Sequence, residues 1–214
     1  ALGILTGGAV AICGASAAMA IASVLPESAH KQRLTSFTVI GVASFSTLAM
    51  IFYPVIGHYL GLDDQAMGFF IGAAIHDVAQ VVGAGYSVSL ASGDAATLVK
   101  LFRVAMLIPV VALVTVWIAT SHGDPAVSRR MPRVPLFLVG FLVLFTANST
   151  GWIPMTVSHS LAAMAPVLLL LAITALGMKT SLREIIEIGV RPVILLGLET
   201  LFLAALVLVF LGLR

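Results

Sequence analysis

Apolar residues along this chain gather into long runs, and polar residues are mostly confined to the short stretches between them. Seven runs can be read: Ala1 to Leu25, Leu34 to Leu60, Ala66 to about Leu90, Thr97 to Ala119, Pro135 to Asn148, Thr156 to Met178 and Pro192 to Leu213. The charge-free stretches 34–62 and 135–178 each exceed the roughly 20 residues that carry a helix across a bilayer. Alternation of the β-barrel kind is absent. A backbone in lipid must satisfy its own hydrogen bonds, which leaves helices. The pattern predicts an all-α, polytopic transmembrane helix bundle, a single integral membrane domain over residues 1–214 with short connections.

Composition agrees. Of the 214 residues, 60% are hydrophobic and 9% charged, where a soluble domain carries about 25% charged. The mean hydropathy is +1.14. A cell membrane location follows, with the lipid bilayer as the main surrounding. The net charge of +2 sits in short loops and gives no support to nucleic-acid binding. Cys13 is the one cysteine, so an intrachain disulfide and a Cys-based metal site are excluded, and no cofactor is expected. The chain opens on Ala1 inside an apolar run, so the expectation is the later part of a longer protein. A homo-oligomer is compatible with all of this.

Lys and Arg favour cytoplasmic loops. "PESAHKQR" (26–33), "SRRMPR" (128–133) and "KTSLREIIEIGVR" (179–191) are basic, whereas "GLDDQ" (61–65), "SVSLASGDAA" (87–96) and "STGWIP" (149–154) lack Lys and Arg. Two runs separate the second basic loop from the third, so both can share a side. Three separate the first from the second, which would place them on opposite sides. Either one loop breaks the rule, or the third run enters and turns back near residues 76–85 without spanning.

That third run carries the unusual chemistry. "GAAIHDVAQVVGAG" (72–85) puts His76, Asp77 and Gln80 among apolar residues. On a continuous helix Gly68, Gly72, His76 and Gln80 would share one stripe, the glycines admitting a neighbouring helix. Asp77 at the bilayer centre costs about 2.5–3.5 kcal/mol even on lenient scales. It is expected either to pair structurally with Lys100 or Arg103, or to build a site with them whose charge state changes with substrate or proton. Lys100 and Arg103 share a face near the start of the fourth run, and if the third run turns back they lie at its non-cytoplasmic end. The first run, "TGGAVAICGASAAMA" (6–20), is the other candidate. A helix broken at Gly7-Gly8 would expose N–H groups to an anion, with Thr6, Cys13 and Ser16 nearby; an unbroken, tightly packed helix is the alternative. Glu199 is read as structural, and Pro109 as a kink in the fourth run.

"AICGASAAMA", "LAMIFYP", "GFFIGAAIHDVAQVVGAG", "TLVKLFRVAML" and "ALGMKTSLREI" together resemble the YeiH family, whose members are described as sulfate exporters. The resemblance covers nearly the whole chain. It implies kinship to the broad fold of bile-acid symporters and sodium–proton antiporters, with inverted repeats and two crossing broken helices, here around residues 7–16 and 76–85.

The expected function is secondary transport of a small anion, sulfate or an organic sulfonate. It would be coupled to H⁺ through His76 and Asp77, or to Na⁺ held by Asp77, Gln80 and freed carbonyls. Substrate- and ion-binding candidates are Thr6, Gly7, Gly8, Cys13, Ser16, His76, Asp77, Gln80, Lys100 and Arg103. There is no nucleotide-binding loop of the G-x-x-x-x-G-K-[ST] kind. A channel or non-transporting membrane scaffold is the alternative. An intramembrane enzyme is disfavoured, because only Asp77 is placed to act as a central carboxylate.

Overall fold

The computed structural model describes residues 2–26, 31–122, 136–179 and 190–212. Among them the chain forms α1 (Leu2–Ala11), α2 (Ala15–Val24), α3 (Lys31–Tyr59), α4 (Asp64–Ala74), α5 (Val78–Val88), α6 (Leu90–Ala105), α7 (Leu107–His122), α8 (Leu136–Ser149), α9 (Met155–Lys179) and α10 (Val190–Gly212). No strand occurs among the described residues. Lys31–Tyr59, Leu90–Ile118 and Pro192–Gly212 are each long and apolar enough to cross a membrane. The second of these joins α6 to α7 with an interruption at Met106. Pro109 explains it, since it offers no N–H to the carbonyl of Ala105. Large apolar side chains such as Phe102, Leu113 and Phe202 face outward, as befits helices whose solvent is lipid.

The first and third apolar runs are not rods. Gly68 of α4 and Gly85 of α5 both rest on Ser92 of α6: an added Cβ would lie 2.5 Å from the Ser92 carbonyl at 68 and 3.3 Å at 85. On one continuous helix those two glycines would be about 25 Å apart. Gly72 lies one turn further along, against Ala96 and Val99. So α4 runs parallel to α6, and α5 returns antiparallel to it. In the same way Gly8 and Ile21, about 20 Å apart on a continuous helix, are in contact. Each run is therefore a helical hairpin. Its arms of 10 or 11 residues reach roughly 15 Å, about half of a hydrocarbon core of ~30 Å.

The hairpins open on opposite faces. Leu2 at the start of α1 belongs with Phe37, Val39, Val193 and Leu196. Leu25, just past α2, accepts a hydrogen bond from Lys31 at the start of α3. The α4–α5 hairpin instead starts beside the far end of α3, where Met67 packs on Gly57 and Tyr53 stacks on Phe70 at 5.0 Å. Asp63 caps α4 through Ala66 N (2.8 Å), and Ser89 caps α6 through Ser92 N (3.1 Å). The two bends meet in the middle, where Gly14 lies against the backbone of His76.

This arrangement accounts for the basic loops. Because α4–α5 turns back, the start of α3, the end of α7 and the start of α10 all lie towards one face. The loop arginines Arg129, Arg130, Arg133 and Arg183 lie outside the described residues.

Three expectations are corrected. Gly7 and Gly8 are helical, and the first break falls at Ile12–Gly14. There Gly14 takes φ +63°, a conformation that favours glycine. Gly8 serves instead to let Ile21 approach. The stripe from Gly68 to Gln80 does not exist as one helical face, because Ile75–Asp77 is non-helical. The glycines face α6, and His76 falls in the bend. Finally, Lys100 and Arg103 are not near a membrane face. The helix begins at Leu90, which places them about 15 Å or more along it, level with the two bends.

Candidate functional site

The site is where the bends meet, and each component follows from an interrupted helix. An α-helix leaves its last carbonyls and first N–H groups without internal partners, and it carries about half a negative charge at the C-terminal end and half a positive charge at the N-terminal end. The ends of α1 and α4 bring two negative poles together. The starts of α2 and α5 bring two positive ones.

Lys100 and Arg103 answer the negative poles. Lys100, fully buried, donates to the carbonyls of Ile12 and Ile75, both at 2.9 Å. Arg103 donates to Val10 (2.7 Å) and Ala11 (3.0 Å) on one hairpin, and to Gly72 (3.1 Å), Ala73 (2.6 Å) and Ile75 (3.0 Å) on the other. Among the described residues none of these hydrogen bonds goes to Asp77, so the expected pair with Asp77 is not formed as a direct contact.

The positive poles carry the remaining candidates. Asp77 sits at the N-cap position of α5 without capping it through its side chain; its N–H donates to Ser46 Oγ of α3 at 3.0 Å. Gln80 is buried in the first turn of α5 and donates to Thr47 Oγ1 at 2.7 Å, while its Oε1 has no partner among the described residues. On α2, Ser16 donates to the Cys13 carbonyl (3.1 Å) and thiol (2.9 Å).

His76 is fully buried between the poles. Thr200 Oγ1 of α10 lies 2.8 Å from the Leu196 carbonyl and 3.0 Å from His76 Nε2, and which end of the latter contact donates follows the imidazole tautomer. His76 Nδ1 has no hydrogen-bond partner among the described residues. Thr6 is placed one helix away, donating to Glu199 Oε1 at 2.9 Å. A Cβ added at Gly7 would lie 3.9 Å from the same carboxylate, whose Oε2 has no partner among the described residues.

The structure thus groups Cys13, Ser16, His76, Asp77, Gln80, Lys100 and Arg103, and places Thr6 and Gly7 on an adjoining contact with α10; Gly8 is a packing position. Sequence reasoning missed Ser46, Thr47 and Thr200, and set Glu199 aside. The signals were modest: a Ser-Phe-Ser-Thr cluster (44–47) and a Glu-Thr pair (199–200) inside otherwise apolar runs. Among the described residues no group of three His, Cys, Asp or Glu could hold a metal ion.

Comparison with known proteins bears on the same stretch. The family model described as "Conserved hypothetical protein 698" matches residues 1–196. A UPF0324 membrane protein of Rhizobium meliloti is 52% identical over 97% of this chain and 60% of its own length. One from Chlorobaculum tepidum is 49% identical over 96% of this chain and 58% of its own. The UPF0324 membrane protein TauZ of Paracoccus denitrificans is 47% identical over 95% of this chain and 61% of its own. The chain spans about 60% of the length of these curated relatives. No solved structure matches it.

Proposed function

The chain belongs to the UPF0324 membrane protein family, and from that premise we propose that this multi-pass integral membrane protein is a secondary transporter for a small anion, sulfate or an organic sulfonate. The observation that carries the reading is the pair of helical hairpins that open on opposite faces and meet at Gly14 and His76. Transporters use interrupted helices in this way, with half-helix N-termini turned to anionic substrate groups at mid-membrane. Here the starts of α2 and α5 would receive the anion, beside Ser16 and Gln80. Lys100 and Arg103 do not reach for substrate. They hold the opposite poles and leave the positive ones to act.

His76 and Asp77 would supply the coupling. His76 Nδ1, beside the seat, has no hydrogen-bond partner among the described residues. Protonation there, or on Asp77, would change the field that an anion meets. The test is uptake of labelled sulfate and taurine-sized sulfonates into vesicles that hold the purified full-length protein, at several pH values. Saturable, pH-dependent flux is expected. Asp77→Asn is expected to abolish the pH dependence and most of the flux while the protein stays folded. An unaltered rate and pH profile in that variant would remove the mechanism. Current in single-channel recordings without saturation would favour a channel.

A further inference from the structure

We infer that Lys100 and Arg103 stand where a transporter of this design would otherwise bind a coupling metal cation, so that the site works without Na⁺. Interrupted helices in transporters present two kinds of pole. The N-terminal ends take anionic groups, while the C-terminal ends and unwound carbonyls coordinate Na⁺. In this chain six such carbonyls, those of Val10, Ala11, Ile12, Gly72, Ala73 and Ile75, converge on one place, and all six accept hydrogen bonds from Lys100 or Arg103. The carbonyl of Ile75 accepts from both. Ile12 and Ile75, one from each bend, are bridged by a single ammonium, as two ligands of one ion would be. A third cation among these carbonyls would be repelled by the charges already there and would find each oxygen already accepting one hydrogen bond, and that of Ile75 two.

The arrangement is a cation site filled from within. Lys100 is buried completely and reaches it from α6, a helix that also packs against both arms of the α4–α5 hairpin through Gly68, Gly72 and Gly85. The ammonium is therefore delivered by the same element that positions the second bend. The word "coupling" rests on the transporter reading. The occupied carbonyl cage does not, and it can be read without any flux measurement.

The test is thermal melting of the purified full-length protein in detergent, at constant ionic strength, with choline, K⁺ or Na⁺ as the cation. The native protein is expected to melt at the same temperature in all three. A saturable, Na⁺-specific rise would overturn the inference whatever the flux assay shows. Lys100→Ala keeps the helix and removes a chain the size of n-propylammonium. This variant is expected to melt lower and to recover roughly 5–10 °C with n-propylammonium at about a hundredfold over its Kd, but not with tetramethylammonium, which has no N–H. A folded variant that ignores n-propylammonium would also overturn it. Should Lys100→Ala be recovered folded only when n-propylammonium is present, the cage is supported. If it never folds, the Na⁺ titration of the native protein decides.

Discussion

At the scale of single residues, glycine does two different jobs here. Gly14 supplies a backbone angle, and Gly68 and Gly72 supply proximity. An added methyl at either of the latter would press on a backbone carbonyl at 2.5 Å, and backbone cannot swing aside. Gly68→Ala and Gly72→Ala should each destabilise by about 1–3 kcal/mol, the usual cost of overpacking, seen as a lower melting temperature. Gly3→Ala, which meets nothing within 4 Å, should leave it unchanged or raise it. Thr200 is the second test. Thr200→Val removes the hydroxyl that contacts His76 Nε2 and should cost about 1–3 kcal/mol, the penalty of a buried polar group left without its partner. Thr200→Ser should retain most of the stability. Equal melting of the valine and serine variants would show that the contact carries no weight.

At the scale of elements, some helix ends were legible where an apolar run met polar residues, but the start of α6 was not: the run read from Thr97 begins as helix at Leu90, with Ser92, Gly93 and Asp94 inside it. Runs read as 156–178 and 192–213 became Met155–Lys179 and Val190–Gly212. The hairpin at His76-Asp77 was one of two readings the basic loops left open, supported by ionisable groups in an apolar run, which demand irregular, protected backbone. The bend at Ile12–Gly14 was not legible. Gly7-Gly8 looks weaker as helix than Cys13-Gly14, and propensity cannot tell that Ile21 will fold back onto Gly8. The roles of Lys100 and Arg103 were hidden too. Their partners are main-chain carbonyls 25 to 93 positions away, and a carbonyl has no letter in the sequence.

At the scale of the whole molecule, the opposed hairpins dictate which chain segments share a face. Single-cysteine variants in a Cys13→Ser background test this with a membrane-impermeant maleimide. Leu60→Cys and Leu90→Cys, both exposed, should label from the same side of sealed vesicles. Gln32→Cys should label from the other, the cytoplasmic side if the basic loops orient the protein. Labelling of residues 60 and 90 from opposite sides would mean that α4–α5 spans, and the hairpin description would fail.

The six carbonyls gathered by α6 have a mechanical consequence. Both bends are fastened to one helix, so neither can slide past the other without tearing seven charge-assisted bonds inside lipid. Any rocking that exposes the junction first to one face and then to the other must carry α1, α4 and α6 as a single block. Outside that block, side-chain hydrogen bonds tie Asp77 and Gln80 to Ser46 and Thr47, His76 to Thr200 and Thr6 to Glu199.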